Sequence, residues 1–560
     1  MVGKSKNRAH KNIRARSCLR CRRRKVKCDR QYPCSRCKES EESCTYGVNE
    51  QAVQLLEEPL SRPITRETDS SAHQETRTRL EENNLPKTQK FGFVDWKTIL
   101  KSSAEFQGIV QRDPESRLRE ALETDPKLKK RLECILETIP PWDVCESLLK
   151  VYANTFNVTN YILDFEQADK LLSDLKNSNH VFATSIILIV TAIAVALSLE
   201  SFPSNIERYF SAVNHSAIEL SDALNSKIDD FLNEEVIFRL WRNIDRIRLH
   251  AIRAQLCMRN QFRSMNTDLC YAIHYACFVN PIFQNTDTEY EANMEVWLSI
   301  CEIDALECVL RSCQPWVQHD IYGKLLSQRK MGSDVISYEF HSLLGQLLTC
   351  GLEIYKAIHT STVNEFVNSI QFYESQLSLV LMEIESKFSN IDGSDIHFRY
   401  LFLKTVFWTV RKNLYQGFIT VSRTLVPNYP DIVQKLGQTS IQLSRLISNS
   451  MDCFEKYGWL KAMLILVTHT FLIIHVCSER GYDVPKDFWN VTASVQATLE
   501  EKKYPGIVWE RIHYVLNIYT TINSVEPELS EDHGDLDDQN LFQVFTDIFD
   551  FNFNFPLPNL

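Results

Sequence analysis

Glycine is scarce in this chain, 15 of 560 residues, against roughly 7% in an average protein. No Gly-rich run is present that could cradle a phosphate. There is also no HExxH helix, no nucleophile elbow and no nucleophile paired with a base, so the chain reads as a non-enzyme. The N-terminal "MVGKSKNRAHKNIRARS" has no apolar segment, which argues against a secretory leader and predicts that the 17 cysteines stay reduced. Metal ligation therefore outranks disulfides. Runs of alternating strand character are missing as well. One uncharged apolar run, Val181 to Leu199, approaches bilayer length. It contains Thr and Ser, has no aromatic belt and lacks a clear Lys/Arg flank, so a fully buried core helix is the expectation and no membrane partner is assigned.

What is present is unevenly placed. Residues 1–38 hold fifteen of the 62 basic residues and one of the 72 acidic ones; the remainder keeps 47 and 71. The N-terminal end thus carries about +14 and the rest about -24, which suggests a basic end for a polyanion and an acidic body with another task. Residues 46–90 have linker composition, with Pro59, Pro63 and Pro86 among Glu, Ser, Thr and Arg. From about residue 91 to 525, Leu, Ile and Phe recur at helical spacing. Ile237, Leu240, Trp241, Ile244 and Ile247, for instance, form one stripe on a helix. The body is expected to be all-α, and the chain as a whole mainly all-α with a small cysteine-rich domain at its start. Residues 526–560 carry no Lys or Arg and interleave acids with Phe542, Phe545, Phe549, Phe551, Phe553 and Phe555.

The first six cysteines, Cys18, Cys21, Cys28, Cys34, Cys37 and Cys44, follow C-x2-C-x6-C-x5-C-x2-C-x6-C. This is an internal duplication with an offset of sixteen residues. A closed zinc site takes four ligands, so two separate ions would need eight. Six thiolates serve two ions only if two of them bridge, one from each half. The expected cofactor is therefore two zinc ions in one compact cluster of about -2, which nearby cations partly offset. Each C-x2-C turn can lead into a short helix, "LRCRRRKVK" and "SRCKESEES".

Residues 17–45 closely resemble the fungal zinc binuclear cluster transcription regulators of the galactose-regulator type. The resemblance implies that Cys18 and Cys34 bridge the two ions, with Pro33 before the fourth cysteine as is usual there. It also implies that Lys25, three residues before the third cysteine, reads a CGG-type triplet in the major groove, with Arg24 at a second contact position. Arg22, Arg23 and Lys27 are assigned to phosphate contacts or charge balance. The basic arm, residues 1–16, adds phosphate attraction and reads as a nuclear import signal, so the expected location is the nucleus.

Weaker echoes of the family's helical middle domain follow. "IPPWDVCESLLKVYANTFNVTNYILDFEQADKLL", residues 139–172, is similar to its opening, with Asp164 where a His is usual. "YFSAVNHSAIEL" and "FRLWRNIDR" resemble later helices, in which Trp241 and Asp245 read as structural. Cys301, Cys308 and Cys313, like His469 and His475, are expected to be core residues and not ligands. The acidic, Phe-rich end resembles activation segments that dock their aromatics in a coactivator, though packing on the helical body is the alternative. No coiled coil follows Cys44: Val53, Leu55 and Leu56 are soon stopped by Pro59. Homodimerisation then falls to the helical body, or one half-site is read by a monomer. The reading is a nuclear, sequence-specific regulator of RNA polymerase II genes, an activator, bound to double-stranded DNA. The alternative is a zinc-cluster RNA-binding or metal-buffering module on a helical scaffold.

Overall fold

The computed structural model describes Cys21, Arg24, Val26, Cys28 and residues 34–40 near the N-terminus, then residues 114–502 with interruptions, chiefly at 261–265, 280–286, most of 318–333, 422–429 and 480–486. The arm (1–16), the linker (46–90) and the Phe-rich end (526–560) lie outside the described residues. The chain separates into two units, 1–87 and 88–560. In the first, the described regular element is α1 (Ser35–Glu39).

In the second unit every regular element among the described residues is a helix, as the periodicity leads one to expect. The series runs α2 (Pro114–Thr124), α3 (Pro126–Leu136), α4 (Trp142–Thr155), α5 (Phe165–Lys176), α6 (Ala183–Ala196), α7 (Ser204–Val213), α8 (Ala217–Leu232), α9 (Ile244–Asn260) and α10 (Thr267–Val279). It continues through α11 (Asp287–Arg311), α12 (Val335–Thr360), α13 (Val363–Phe388), α14 (Ser394–Val421), α15 (Pro430–Ser448), α16 (Met451–Lys456), α17 (Leu460–Glu479) and α18 (Asp487–Lys502).

Local chemistry sets several starts. Asp125 accepts from the Lys127 and Leu128 amides ahead of α3, whose first residue is Pro126. This satisfies donors that a helix start leaves bare, at a position where a missing N–H costs nothing. Ser216 with Glu219, and Thr362 with Glu365, form reciprocal capping boxes at α8 and α13. Asp164 is the N-cap of α5 and accepts from the Gln167 amide at 3.1 Å.

The apolar run becomes α6, buried from Ile186 to Ala196. It packs against α4, α8 and α9, so it is covered on more than one side and has no need of a polar face. Each of its four isoleucines contributes about 1.5–3 kcal/mol by leaving water. No helix among the described residues is long and apolar enough to cross a membrane.

The stripe at 237–247 differs from expectation. Ile237, Trp241 and Ile247 are buried and Ile244 packs on the core, but Trp241 lies outside helix, and α9 opens only at Ile244. The Arg246 guanidinium donates to the carbonyls of Ile237 (3.1 Å) and Trp241 (2.9 Å). The Ile237 carbonyl also accepts from the Trp241 amide at 3.0 Å, so the buried cation adds a second donor there and gives the Trp241 carbonyl a donor. Trp241 packs edge-on against Phe231, and Asp245 meets Arg248; both are structural, as read from the sequence.

Arg259 of α9 ties the early helices to the late ones. It is fully buried and donates to Thr159 Oγ1 (2.8 Å) and to the Tyr457 carbonyl (3.1 Å), with longer approaches to the carbonyls of Thr155 and Phe156 where α4 ends. Its guanidinium carbon lies 4.0 Å from the Phe156 ring centre and 4.8 Å from that of Trp459. A cation at a helix C-terminus meets the negative end of the peptide dipoles. Burial pulls this guanidinium down to about 9. Gly458 completes the turn at φ +67, where a Cβ would strike Leu199.

Candidate metal centre

Three thiols define the N-terminal unit. Cys21, Cys34 and Cys37 are buried, and their Sγ atoms all lie within 4.8 Å of one another. Cys21 Sγ and Cys34 Sγ are 3.7 Å apart. That is far beyond a disulfide's about 2.05 Å, and close to the about 3.8 Å edge of a tetrahedron built on Zn–S bonds of about 2.3 Å. Val26 and Cys28, both partly buried, pack against the trio. The donor set, soft, buried and at tetrahedral spacing, fits zinc. Among the described residues no other grouping of Cys, His, Asp and Glu has ligand spacing.

The backbone explains how C-x2-C brings its thiols together. Cys34 is the N-cap of α1, and its carbonyl accepts from the amides of Cys37 and Lys38, each at 2.9 Å. This one turn places Cys37 over Cys34. A five-residue helix cannot hold itself in water, so crosslinking through the thiols supplies what length does not. In the first half, Val26 N–H donates to the Cys21 carbonyl at 3.0 Å.

Of the five cations assigned from sequence, Arg24 is described and exposed. Arg22, Arg23, Lys25 and Lys27 lie outside the described residues, as do Cys18 and Cys44. Sequence reasoning left Arg36 and Lys38 unassigned; both are exposed on α1. The sixteen-residue offset was the signal, since it maps them onto Arg20 and Arg22.

The Fungal Zn(2)-Cys(6) binuclear cluster domain matches residues 16–52. Uncharacterized transcriptional regulatory protein C3H8.08c of Schizosaccharomyces pombe is 34% identical over 561 aligned positions, covering 97% of this chain and 96% of that protein. The chain belongs to the fungal zinc binuclear cluster family of transcriptional regulators. A second protein of the same yeast, Uncharacterized transcriptional regulatory protein C757.04, is 68% identical over 34 residues, 6% of this chain and 5% of its own. The long alignment runs through the helical body, so the kinship is not confined to the zinc cluster. The zinc cluster domain holds two zinc ions, the number that six thiolates imply.

In the helical body the remaining cysteines behave differently. Cys301, Cys308 and Cys350 are buried. Burial pushes the Cys350 and Cys313 thiols up to about 12, which keeps them protonated and unreactive. His469 is buried, and burial together with the Lys412 charge holds its imidazole well below the usual range. His475 is a side chain outside the described ones.

Proposed function

We propose that this chain is a sequence-specific regulator of RNA polymerase II transcription that binds CGG-type triplets through the basic segment that follows Cys21. Cys18, Cys21, Cys28, Cys34, Cys37 and Cys44 hold the two ions, with Cys18 and Cys34 shared. Lys25 and Arg24 read base edges in the major groove, and Arg22, Arg23 and Lys27 contact phosphates. Arg36 and Lys38 join the phosphate contacts from the second half. The observation that carries this reading is the buried thiol trio on the same small unit as the exposed Arg24, Arg36 and Lys38. A metal-buffering module has no use for exposed cations, and a single-strand binder would interleave aromatics.

The chain acts in the nucleus, reached through the basic arm, and activates transcription by docking Phe542 to Phe555 in a coactivator. Residues 1–16, 17–45, 46–90, 91–525 and 526–560 are then arm, zinc cluster, linker, regulatory body and activation segment. Pairing of two copies, where it occurs, belongs to the body, since no heptads follow the cluster.

The test uses the full chain loaded with two zinc ions. It should retain a CGG-containing duplex against a scrambled duplex and a single-stranded RNA at matched salt. Lys25→Ala should relax triplet preference, while Arg22→Ala should weaken all sequences alike and lower the salt slope by about one. Equal retention of all three nucleic acids would overturn the reading, and equal effects of the two substitutions would overturn the division of roles.

A further inference from the structure

A second place in the helical body holds charge that the fold does not explain. Lys412 of α14 is 1% exposed, and its Nζ meets no hydrogen-bond partner. Burial pulls its ammonium down to about 7. Arg259, another buried cation, has hydroxyl and carbonyl acceptors and two aromatic rings; Lys412 has none of these among the described residues. Burying an ammonium without an acceptor costs several kcal/mol, and folded proteins leave few such groups unmet.

Other unmet polar atoms lie in the same helix packet. Ser440 and Ser444, one turn apart on α15, are fully buried, and neither hydroxyl has a partner. α14 and α15 pack together, as do α15 and α17. Near the loop end of the α14–α15 pair, Tyr415 and Lys435 both bond Glu374, and Lys435 Nζ lies 6.0 Å from the Tyr415 ring centre. Since α14 ends at Val421 and α15 begins at Pro430, the two run antiparallel at equal rise. Counting away from the Tyr415–Lys435 level brings Lys412 to the height of about residue 438 and Thr409 to about residue 441. Ser440 therefore stands about 3 Å beyond the lysine's level along the axis, and Ser444 about 9 Å beyond it. Thr405 and Thr409, on the lysine's side of α14, are buried and donate to carbonyls of their own helix, which leaves their oxygens able to accept but not to donate further. From α17, His469 is close enough for its protonation to be opposed by the Lys412 charge.

We propose that Lys412 Nζ and the hydroxyls of Ser440 and Ser444 form a binding site for the carboxylate or phosphate oxygens of a small anionic ligand inside the helical body. An ammonium supplies three donors, and the two hydroxyls supply one each. Nothing acidic among the described residues pairs with Lys412, so the anion has no competitor from the chain. A ligand that binds only the folded body stabilises it by mass action, which gives a regulatory domain a chemical input independent of what the zinc cluster reads.

The experiment follows thermal unfolding of the full, zinc-loaded chain with inorganic phosphate in one arm and citrate in the other, ionic strength being held with sodium chloride. In the wild type, at least one anion should raise the midpoint, by about 5 °C once it exceeds its Kd a hundredfold. The arm that responds identifies the source of the oxygens. Lys412→Met should abolish the rise, and the Ser440→Ala/Ser444→Ala double variant should reduce it. The double variant keeps the lysine, so it carries the comparison even where Lys412→Met does not fold. No rise in the wild type with either anion would overturn the proposal. So would the same rise in the variants, which would place the anion on the basic N-terminus.

Discussion

Replacing Arg259 by Met tests whether the buried guanidinium holds the helical body together or merely occupies it. The side chain donates at 2.8 Å to Thr159 Oγ1 and at 3.1 Å to the Tyr457 carbonyl. Bonds from a charged donor contribute about 1.5–3 kcal/mol each, so about 3–6 kcal/mol is at stake. Against this stands relief from burying a cation that has no carboxylate partner, a gain of a few kcal/mol. Methionine also keeps part of the contact with Phe156 and Trp459 through its sulfur. The carbonyls of Tyr457 and of the end of α4 are left without a donor, which restores most of the loss. The net expectation is destabilisation by about 2–4 kcal/mol. Arg259→Lys should fare no better, since a point charge cannot lie flat between two rings and reach both acceptors. The assay is denaturant unfolding of the full chain, read by near-ultraviolet dichroism, with hydrogen exchange at the Phe156 to Asn160 and Gly458 amides as a local readout. A variant as stable as the wild type, with unchanged exchange at those amides, would refute the reasoning: burial of the charge would then cost all that its bonds return.

Other expectations follow from the same kind of accounting. Cys34→Ala should lower bound zinc below two per chain by elemental analysis, whereas Cys301→Ala, in the helical core, should leave it unchanged. Thr362→Ala removes one side of the capping box of α13 and should cost about 1 kcal/mol in unfolding measurements. Asp304, pushed up to about 6 by burial although the Trp316 and Val317 amides donate to it, binds a proton in the folded chain where the unfolded chain has released it. Its contribution is present below about pH 4 and is lost as pH rises through 6, so this residue makes stability fall across that window. Lys412 acts in the opposite sense at higher pH. Its folded value near 7 lies below the unfolded one, so stability should rise with pH from about 7 to 10. The Asp304→Asn and Lys412→Met variants should each flatten its own limb of the stability profile.

How much of this could be read from the chain depends on how far apart the interacting residues lie. The thiol trio was legible because C-x2-C places its ligands within one turn and the repeat fixes the number of ions. The helical body was legible because helix periodicity is local, and α6 because a run with no polar face has to be covered on several sides. Asp164, which departs from the usual family residue, turned out to be a helix cap, a role its residue type suits. The break at Trp241 was not legible: the apolar spacing continues through a residue outside regular helix, and only the position of Arg246 shows where the Trp241 carbonyl finds a donor. Arg259 could not have been singled out, since its partners at Thr159 and Tyr457 are about a hundred and two hundred positions away in opposite directions along the chain. Lys412 is harder still. A lysine in a helix between Val410 and Leu414 reads as a solvated face, and nothing in its neighbourhood says that the neighbouring helices close over it.

The bond from Arg259 to Tyr457 spans 198 positions, and that span has a consequence for biosynthesis. Chains are made at about 5–20 residues per second, so roughly 10–40 s pass between the emergence of the arginine and that of its acceptor. Through that interval α4 and α9 expose the apolar faces they will later bury, beside a charge with no place to go. The zinc cluster, made first and closed by residues near one another in sequence, can be complete on the ribosome while the helical body is still being made. A message truncated before residue 457 would then release a metal-loaded head attached to a body that cannot finish folding. Such a fragment would be cleared by proteolysis or, if it escaped, would carry the zinc cluster without a folded body.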